Sequence, residues 1–188
     1  MSFMPPDPNR RALLSGLAAL ALSRGGSAQD IPRAAQASID GMGELHPDYD
    51  PSLIDQMIGS GLRGIVVTVG NPALQGASAF DDMKGEAAAT EAHIAREPKR
   101  LLRVLRAADF AEARRTNRLG VLRYTQNATP IGDDAGRLKE LKALGILGVQ
   151  LTYNSRNLLG DGCLERTNAG LSTFGLDVVA AMNDLGMF

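Results

Sequence analysis

Residues able to do chemistry are few in this chain. The stretch Asp40-Gly-Met-Gly-Glu44 sets two carboxylates close together, with His46 just after them. The only histidines are His46 and His93 and the only cysteine is Cys163, so no compact Cys/His zinc site can be assembled and no internal disulfide can close. Any metal must rely on carboxylates or on residues the chain does not hold. Read without a metal, Glu44 belongs in a salt bridge or in solvent. His46 is the tempting alternative ligand, but Pro47 fixes an extended backbone after it, and a lone loop histidine is ordinarily a surface residue. His93 falls in a stretch rich in alanine and charge, which reads as a solvated or half-buried helix position. Cys163 has only Arg166 as a basic neighbour and no paired histidine, so a nucleophile is not expected there. Gln126 ends a predicted strand, where barrel enzymes place their chemistry, which makes it a pocket residue. Asn154, Arg156 and Asp161 follow the next strand, and either contact a substrate or pin a long loop through side-chain to backbone bonds.

Positioning these residues requires strands that end beside one another. Asp50-Pro51 supplies a helix cap followed by proline at the first helical position, and the predicted helix runs to Ile58 before Gly61. The β-branched run within Leu62 to Val69 lacks alternation and predicts a strand buried on both faces. Helices are expected over 82–96, 109–118 and from a cap at Asp133 or Asp134 to Gly145. Strands are expected over 101–105, 119–125 and 147–153. A glycine-containing loop leads to a last helix over about 172–185, whose stripe is Phe174, Val178, Met182 and Leu185, stopped by Gly186. With a short stretch around Ser38 to Asp40, this gives five strand-then-helix units without a hairpin signal. The arrangement is a parallel sheet covered by helices. A doubly wound sheet and a (β/α)8 barrel both fit, but no GxGxxG or P-loop follows any strand, so no nucleotide cofactor is expected and the barrel is preferred. A complete barrel typically needs roughly 200 residues or more. The chain stops at Met187-Phe188, where a sixth strand would begin, and is expected to be truncated relative to such a barrel.

Composition sets the broad class. The chain has 188 residues, of which 44% are hydrophobic and 22% charged, the balance of a globular domain. A formal charge of -1 and an aromatic content of 4% offer neither a phosphate-binding field nor stacking platforms, so nucleic acid is not an expected partner. The pair Arg10-Arg11 precedes an apolar run from Ala12 to Leu22, too short to span a bilayer but suited to a signal h-region. Small residues at Gly26-Ser27-Ala28 suit signal peptidase. Residues 1–28 therefore resemble a twin-arginine signal peptide, which predicts an exported, periplasmic protein with no transmembrane segment once the signal is removed. Residues 29–188 are assigned to the barrel.

The run Leu151-Thr-Tyr-Asn-Ser-Arg-Asn-Leu-Leu-Gly-Asp-Gly-Cys163 continues through Glu165-Arg-Thr167 and Gly170-Leu-Ser-Thr-Phe-Gly175 to Met182-Asn-Asp-Leu-Gly-Met187. It resembles the middle of membrane (renal) dipeptidase family proteins, zinc peptidases of family M19. The resemblance extends more weakly back to about Ile39. It implies a (β/α)8 barrel of the metal-dependent-hydrolase type, of which about the first five βα units are present. It also implies two zinc ions that activate a bridging water against the peptide bond of a dipeptide or related small amide. The family's first strand ends in Asp-x-His-x-Asp, and this chain has Asp40-Gly-Met-Gly-Glu44, so Met42 stands at a zinc histidine and Glu44 at a zinc aspartate. Thioether is a soft neutral ligand suited to copper(I) rather than zinc, whereas Glu44 can still bind a cation. Gln126 stands at the bridging glutamate, where a neutral amide cannot replace a carboxylate. Tyr153 stands at a substrate-contacting histidine, with Asn154 and Arg156 as further substrate-binding candidates. The implied metal content is one zinc ion or none, the implied partner is a small peptide-like substrate, and a homodimer of the full-length protein is left open. Two other readings stand beside the hydrolase: a non-catalytic barrel that binds a small ligand, and a non-functional gene fragment, since five units would leave open sheet edges.

Overall fold

The structure is a computed structural model and describes residues 37–188; the signal-like segment 1–28 lies outside the described residues. The first strand, β1 (Ser38–Gly43), is followed by helix α1 (Pro51–Gly59). Asp50 caps that helix by accepting the Ser52 N–H at 2.7 Å, and Pro51 occupies its first position. Next come β2 (Leu62–Thr68) and the long helix α2 (Ala77–Arg96). This helix starts ahead of the expected Asp82, because its N-cap is Gly76 and no side chain caps it. Beyond it lie β3 (Leu101–Arg103), α3 (Ala107–Arg115) and β4 (Leu119–Thr125). Asp109 opens α3 by accepting the Leu105 and Arg106 N–H groups at 2.8 and 3.0 Å. A 3-10 turn at Thr129–Ile131 precedes α4 (Arg137–Ala143) and β5 (Ile146–Val149). Asp134 does not cap α4 directly; it accepts the Gly136 N–H at 2.7 Å in the turn before it. After a long loop, α5 (Thr173–Leu185) is capped by Ser172, whose hydroxyl accepts the Gly175 N–H at 3.0 Å, and closed by Gly186 at φ +62°.

The five strands of the described residues are all parallel, as the alternation predicts, but their order is not the order of the chain. β1 pairs with β2, and β2 pairs directly with β4. β3 is set aside: it meets only Leu119 to Val121 at the start of β4, on the edge whose far end takes β5. The main curve of the sheet is therefore β1, β2, β4, β5.

The two faces of this sheet pack differently. Ile65, Val67, Leu119 and Val121 bury against Ile54 and Ile58 of α1 and Ile94 of α2. On the other face Gly64 and Gly120 sit opposite one another, and a Cβ at Gly64 would lie 2.6 Å from the Phe110 ring. Two glycines at this point let α3 press onto the strands, with Phe110 joining Leu122, Tyr124 and Val104. A third cluster, including Met83, Leu138, Leu141, Ile146, Val178 and Met182, seats α4 and α5 at the β5 side. Along the outer edge of β5, Phe188 donates its N–H to Leu147 O at 3.0 Å and accepts the Val149 N–H at 2.8 Å. Those bonds follow the parallel pattern of the sheet. His93 departs from the sequence reading: it is buried at 2% exposure on α2, not solvated. No helix among the described residues is long and apolar enough to cross a membrane.

Candidate active site

The C-terminal ends of β1, β2 and β4 converge on a cleft of about 640 Å³. Met42 and Glu44 come from the end of β1, Thr68 from the end of β2, and Gln126 from the residue after β4. α2 supplies the facing wall through Glu86 and Thr90, and the segment at His46 and Pro47 closes the rim. The lining contains two carboxylates and a histidine but neither lysine nor arginine, so its field favours cationic or neutral groups over anions.

Two positions singled out from the sequence touch each other here. Gln126 Nε2 donates to Met42 Sδ at 3.2 Å, joining residues 84 apart in the chain. Met42 is 62% exposed, so this pair stands on the rim of the cleft and not in the core. Asp40 is turned back on its own loop, its Oδ1 accepting the Met42 N–H at 3.0 Å. Glu44 and His46 lie 3.4 Å apart and both are largely exposed, which places His46 on the rim with its ring tilted against Tyr49. On the α2 side, Glu86 accepts the Gly70 N–H and Asp82 the Asn71 N–H, each at 2.7 Å. Gly70 has φ +84°, and a Cβ there would press to 2.9 Å on Met83, so only glycine lets the strand-end loop lie this close to α2.

Tyr153, Asn154 and Arg156 fall on the loop beyond β5, outside the residues lining this cleft. Their bonds serve the loop itself. Tyr153 O accepts the Cys163 N–H and Asn154 O the Leu164 N–H, both at 2.9 Å. Arg156 Nε pairs with Asp161 at 2.7 Å. Asp161 also accepts the Ala169 N–H and the Thr167 hydroxyl, and these bonds, with Arg156 beside it, hold its carboxyl below the usual carboxylate range. Of the three side chains, Asp161 bonds a loop N–H and Arg156 pairs with it, whereas Asn154 joins the loop through its backbone carbonyl and through Oδ1, which accepts the Cys163 thiol at 3.3 Å. Three residues near the cleft that sequence reasoning passed over are Glu86, Asn127 and Asn157. Nothing in their local pattern marks them, because their bonds reach distant segments.

The family model for membrane dipeptidase (Peptidase family M19) matches residues 28–188. The chain belongs to the membrane dipeptidase family. Its fold is accordingly that of the family's (β/α) barrel, present here in part. Solved structures agree. An amidohydrolase from Pseudomonas aeruginosa is 31% identical, with a TM-score of 0.73 over 83% of this chain and 46% of its own. The probable dipeptidase PvdM from the same organism superposes over 95% of this chain and 49% of its own, with a TM-score of 0.67 at 17% identity. A metallopeptidase from Rhodobacter sphaeroides, solved with a phosphinate mimic of the dipeptide L-Ala-D-Ala, gives a TM-score of 0.59 at 14% identity and is covered over 57% of its length. This dipeptidase-family chain thus spans about half the length of the solved relatives it matches. A comparison with curated protein sequences finds no significant match.

Family membership implies a metal centre, generally of zinc, and the donors lining this cleft, Glu44, His46 and Glu86, do not gather into one. Zinc takes nitrogen, thiolate or carboxylate ligands. At Met42 and Gln126, to which the resemblance assigns a histidine and a bridging carboxylate, a thioether faces an amide N–H, which has no lone pair to give. Among the described residues no three of His, Cys, Asp and Glu come together in a group that could hold an ion.

Proposed function

We propose that the protein is an exported hydrolase of the membrane dipeptidase type, taking dipeptides or related small amides into the cleft at the ends of β1, β2 and β4. The observation that carries this reading is the convergence of Met42 and Glu44, from the end of β1, with Gln126, from the end of β4, on one cleft. These are the positions to which the family resemblance assigns working roles. Glu44 and Glu86 suit the ammonium end of a dipeptide, and the Gln126 amide suits its peptide group, since an amide both donates and accepts. Export rests on Arg10-Arg11 and the apolar run that follows them.

A second reading is favoured by the contact between Gln126 and Met42: a cleft that binds a peptide-like ligand without turning it over. Elemental analysis of the purified chain, with dipeptide hydrolysis and calorimetric titration of the same dipeptide, separates the two. Turnover of the dipeptide, whatever the metal content, supports the hydrolase. A metal-free, folded chain that binds the dipeptide without cleaving it supports the binding protein. A folded chain that does neither removes both.

A further inference from the structure

The strand end that presents Gln126 is fixed by side chains, not by the sheet. The last backbone bonds across β4 at this end run from Val69 N to Tyr124 O at 2.8 Å and from Gln150 N to Thr125 O at 2.9 Å. Beyond them Asn127 takes over, at 2% exposure. Its Nδ2 donates to Pro72 O at 2.8 Å, and its Oδ1 accepts from Asn157 Nδ2 at 2.8 Å. Asn157 also donates to Leu151 O at 2.7 Å and accepts the Leu159 N–H at 2.8 Å. The Thr125 hydroxyl donates to Asn127 O at 3.0 Å. One pair of amides therefore gathers the loops that follow β2, β4 and β5. Asn127 also stands in a partition: Pro72 and Gln126 line the main cleft, while Ala128 and Asn157 line a second cavity of about 160 Å³.

We infer that Asn127, clasped by Asn157, is the positioning residue that holds Gln126 over the cleft. The inference rests on the cleft being the binding site proposed above. Its chemistry requires amides. A carboxylate at 127 could still accept from Asn157 but would set its charge against Pro72 O. A carboxylate at 157 could still accept from Leu159 but could donate to neither Asn127 nor Leu151. Buried amides that lose a partner keep the full cost of desolvation, so the clasp holds as a unit or relaxes as a unit.

The test reads the Gln126 side-chain amide in proton–nitrogen correlation spectra of the full chain, assigned by its loss in Gln126→Ala. In Asn157→Asp that signal moves to the position of a solvent-exposed glutamine while the melt stays cooperative. The affinity for L-Ala-L-Ala falls about tenfold, the effect of one lost buried hydrogen bond. Adding Asn157→Asp to Gln126→Ala costs no further affinity. An Asn157→Asp chain that melts earlier but keeps both the Gln126 signal and the affinity overturns the inference and leaves a structural pin. Should Asn157→Asp not fold, the unmutated chain decides: an Overhauser contact between the Asn127 and Asn157 side-chain amides, with one between Gln126 and the Met42 methyl, supports the clasp, and the absence of either overturns it. If L-Ala-L-Ala does not bind the unmutated chain, the proposed function fails, and the Gln126 signal alone judges the positioning.

Discussion

Replacing Met42 with histidine and Gln126 with glutamate should convert the rim of the cleft into a zinc site. The two side chains meet at 3.2 Å. Two donors on one tetrahedral zinc, at bond lengths of about 2.0–2.1 Å, lie about 3.3 Å apart. The spacing is already that of two ligands sharing an ion; donor character is what is missing. Glu44, from the same strand end, is available as a third ligand. At a free zinc concentration of about 100 times the dissociation constant, binding to the folded state alone adds about 2.7 kcal/mol. For a chain of this size each kcal/mol raises the melting temperature by about 2–4 °C, so the rise should be about 5–10 °C. Thermal melts by circular dichroism, with zinc and with chelator, should show this rise in the double variant, a smaller one in either single variant, and none in the unmutated chain. A zinc-dependent rise of equal size in the unmutated chain would refute the argument that a thioether and an amide are too weak as donors to hold zinc here.

Three further outcomes follow from the packing. His93 is buried with Nδ1 unpartnered, and burial, with Arg96 nearby, pushes its pKa below the usual 6.5 despite Glu97 and Asp48. The folded state thus binds fewer protons than the unfolded one below about pH 6.5; stability is full above that value and falls as the pH drops, and urea melts of His93→Leu should show a flatter slope between about pH 7 and 5. Glu91 lies 3.1 Å from Arg123, whose side chain is only 4% exposed, and Glu91 also meets Arg103. Glu91→Ala leaves Arg123 with the Ala87 carbonyl and should cost about 2–3 kcal/mol, read as a lower urea midpoint. Two glycine-to-alanine changes in helices should have opposite signs. Gly85→Ala meets open space and should stabilise by about 0.5–1 kcal/mol, whereas at Gly175 the added methyl collides with the Leu159 carbonyl oxygen and should cost about 1–3 kcal/mol.

Local chemistry made much of this fold legible. The Asp50-Pro51 start of α1, the boundaries of β4 and the Ser172 cap of α5 all follow from nearest-neighbour signals. The start of α2 did not, because Gly76 bears no capping group. β5 ends at Val149 and not at Tyr153, because Gln150 bonds sideways to Thr125 and the chain turns away. Sheet order was beyond reach: β3 is a strand by composition, and no local signal marks that β2 passes it over for β4, where Gly64 faces Gly120 under the Phe110 ring. The site divides in the same way. Met42, Glu44 and Gln126 were found by their place at strand ends and by family resemblance, and the structure brings them together. Asn127 and Asn157 act across 30 residues, and no local pattern announces such a bond.

α2 gives the cleft one unyielding jaw. Its 20 residues run for about 30 Å, moored near one end to Gly70 and Asn71 by Glu86 and Asp82 and farther along to β4 through Glu91 and Arg123. Arg96, at its far end, also fastens Pro47 through a 3.1 Å bond to its carbonyl. Between these anchorages, Met42 to His46 is the span of the rim that crosses from β1 to the tethered Pro47. The width of the mouth is therefore set by the same short span that carries Met42 and Glu44, so shape and donor chemistry at this rim reside in one stretch of five residues.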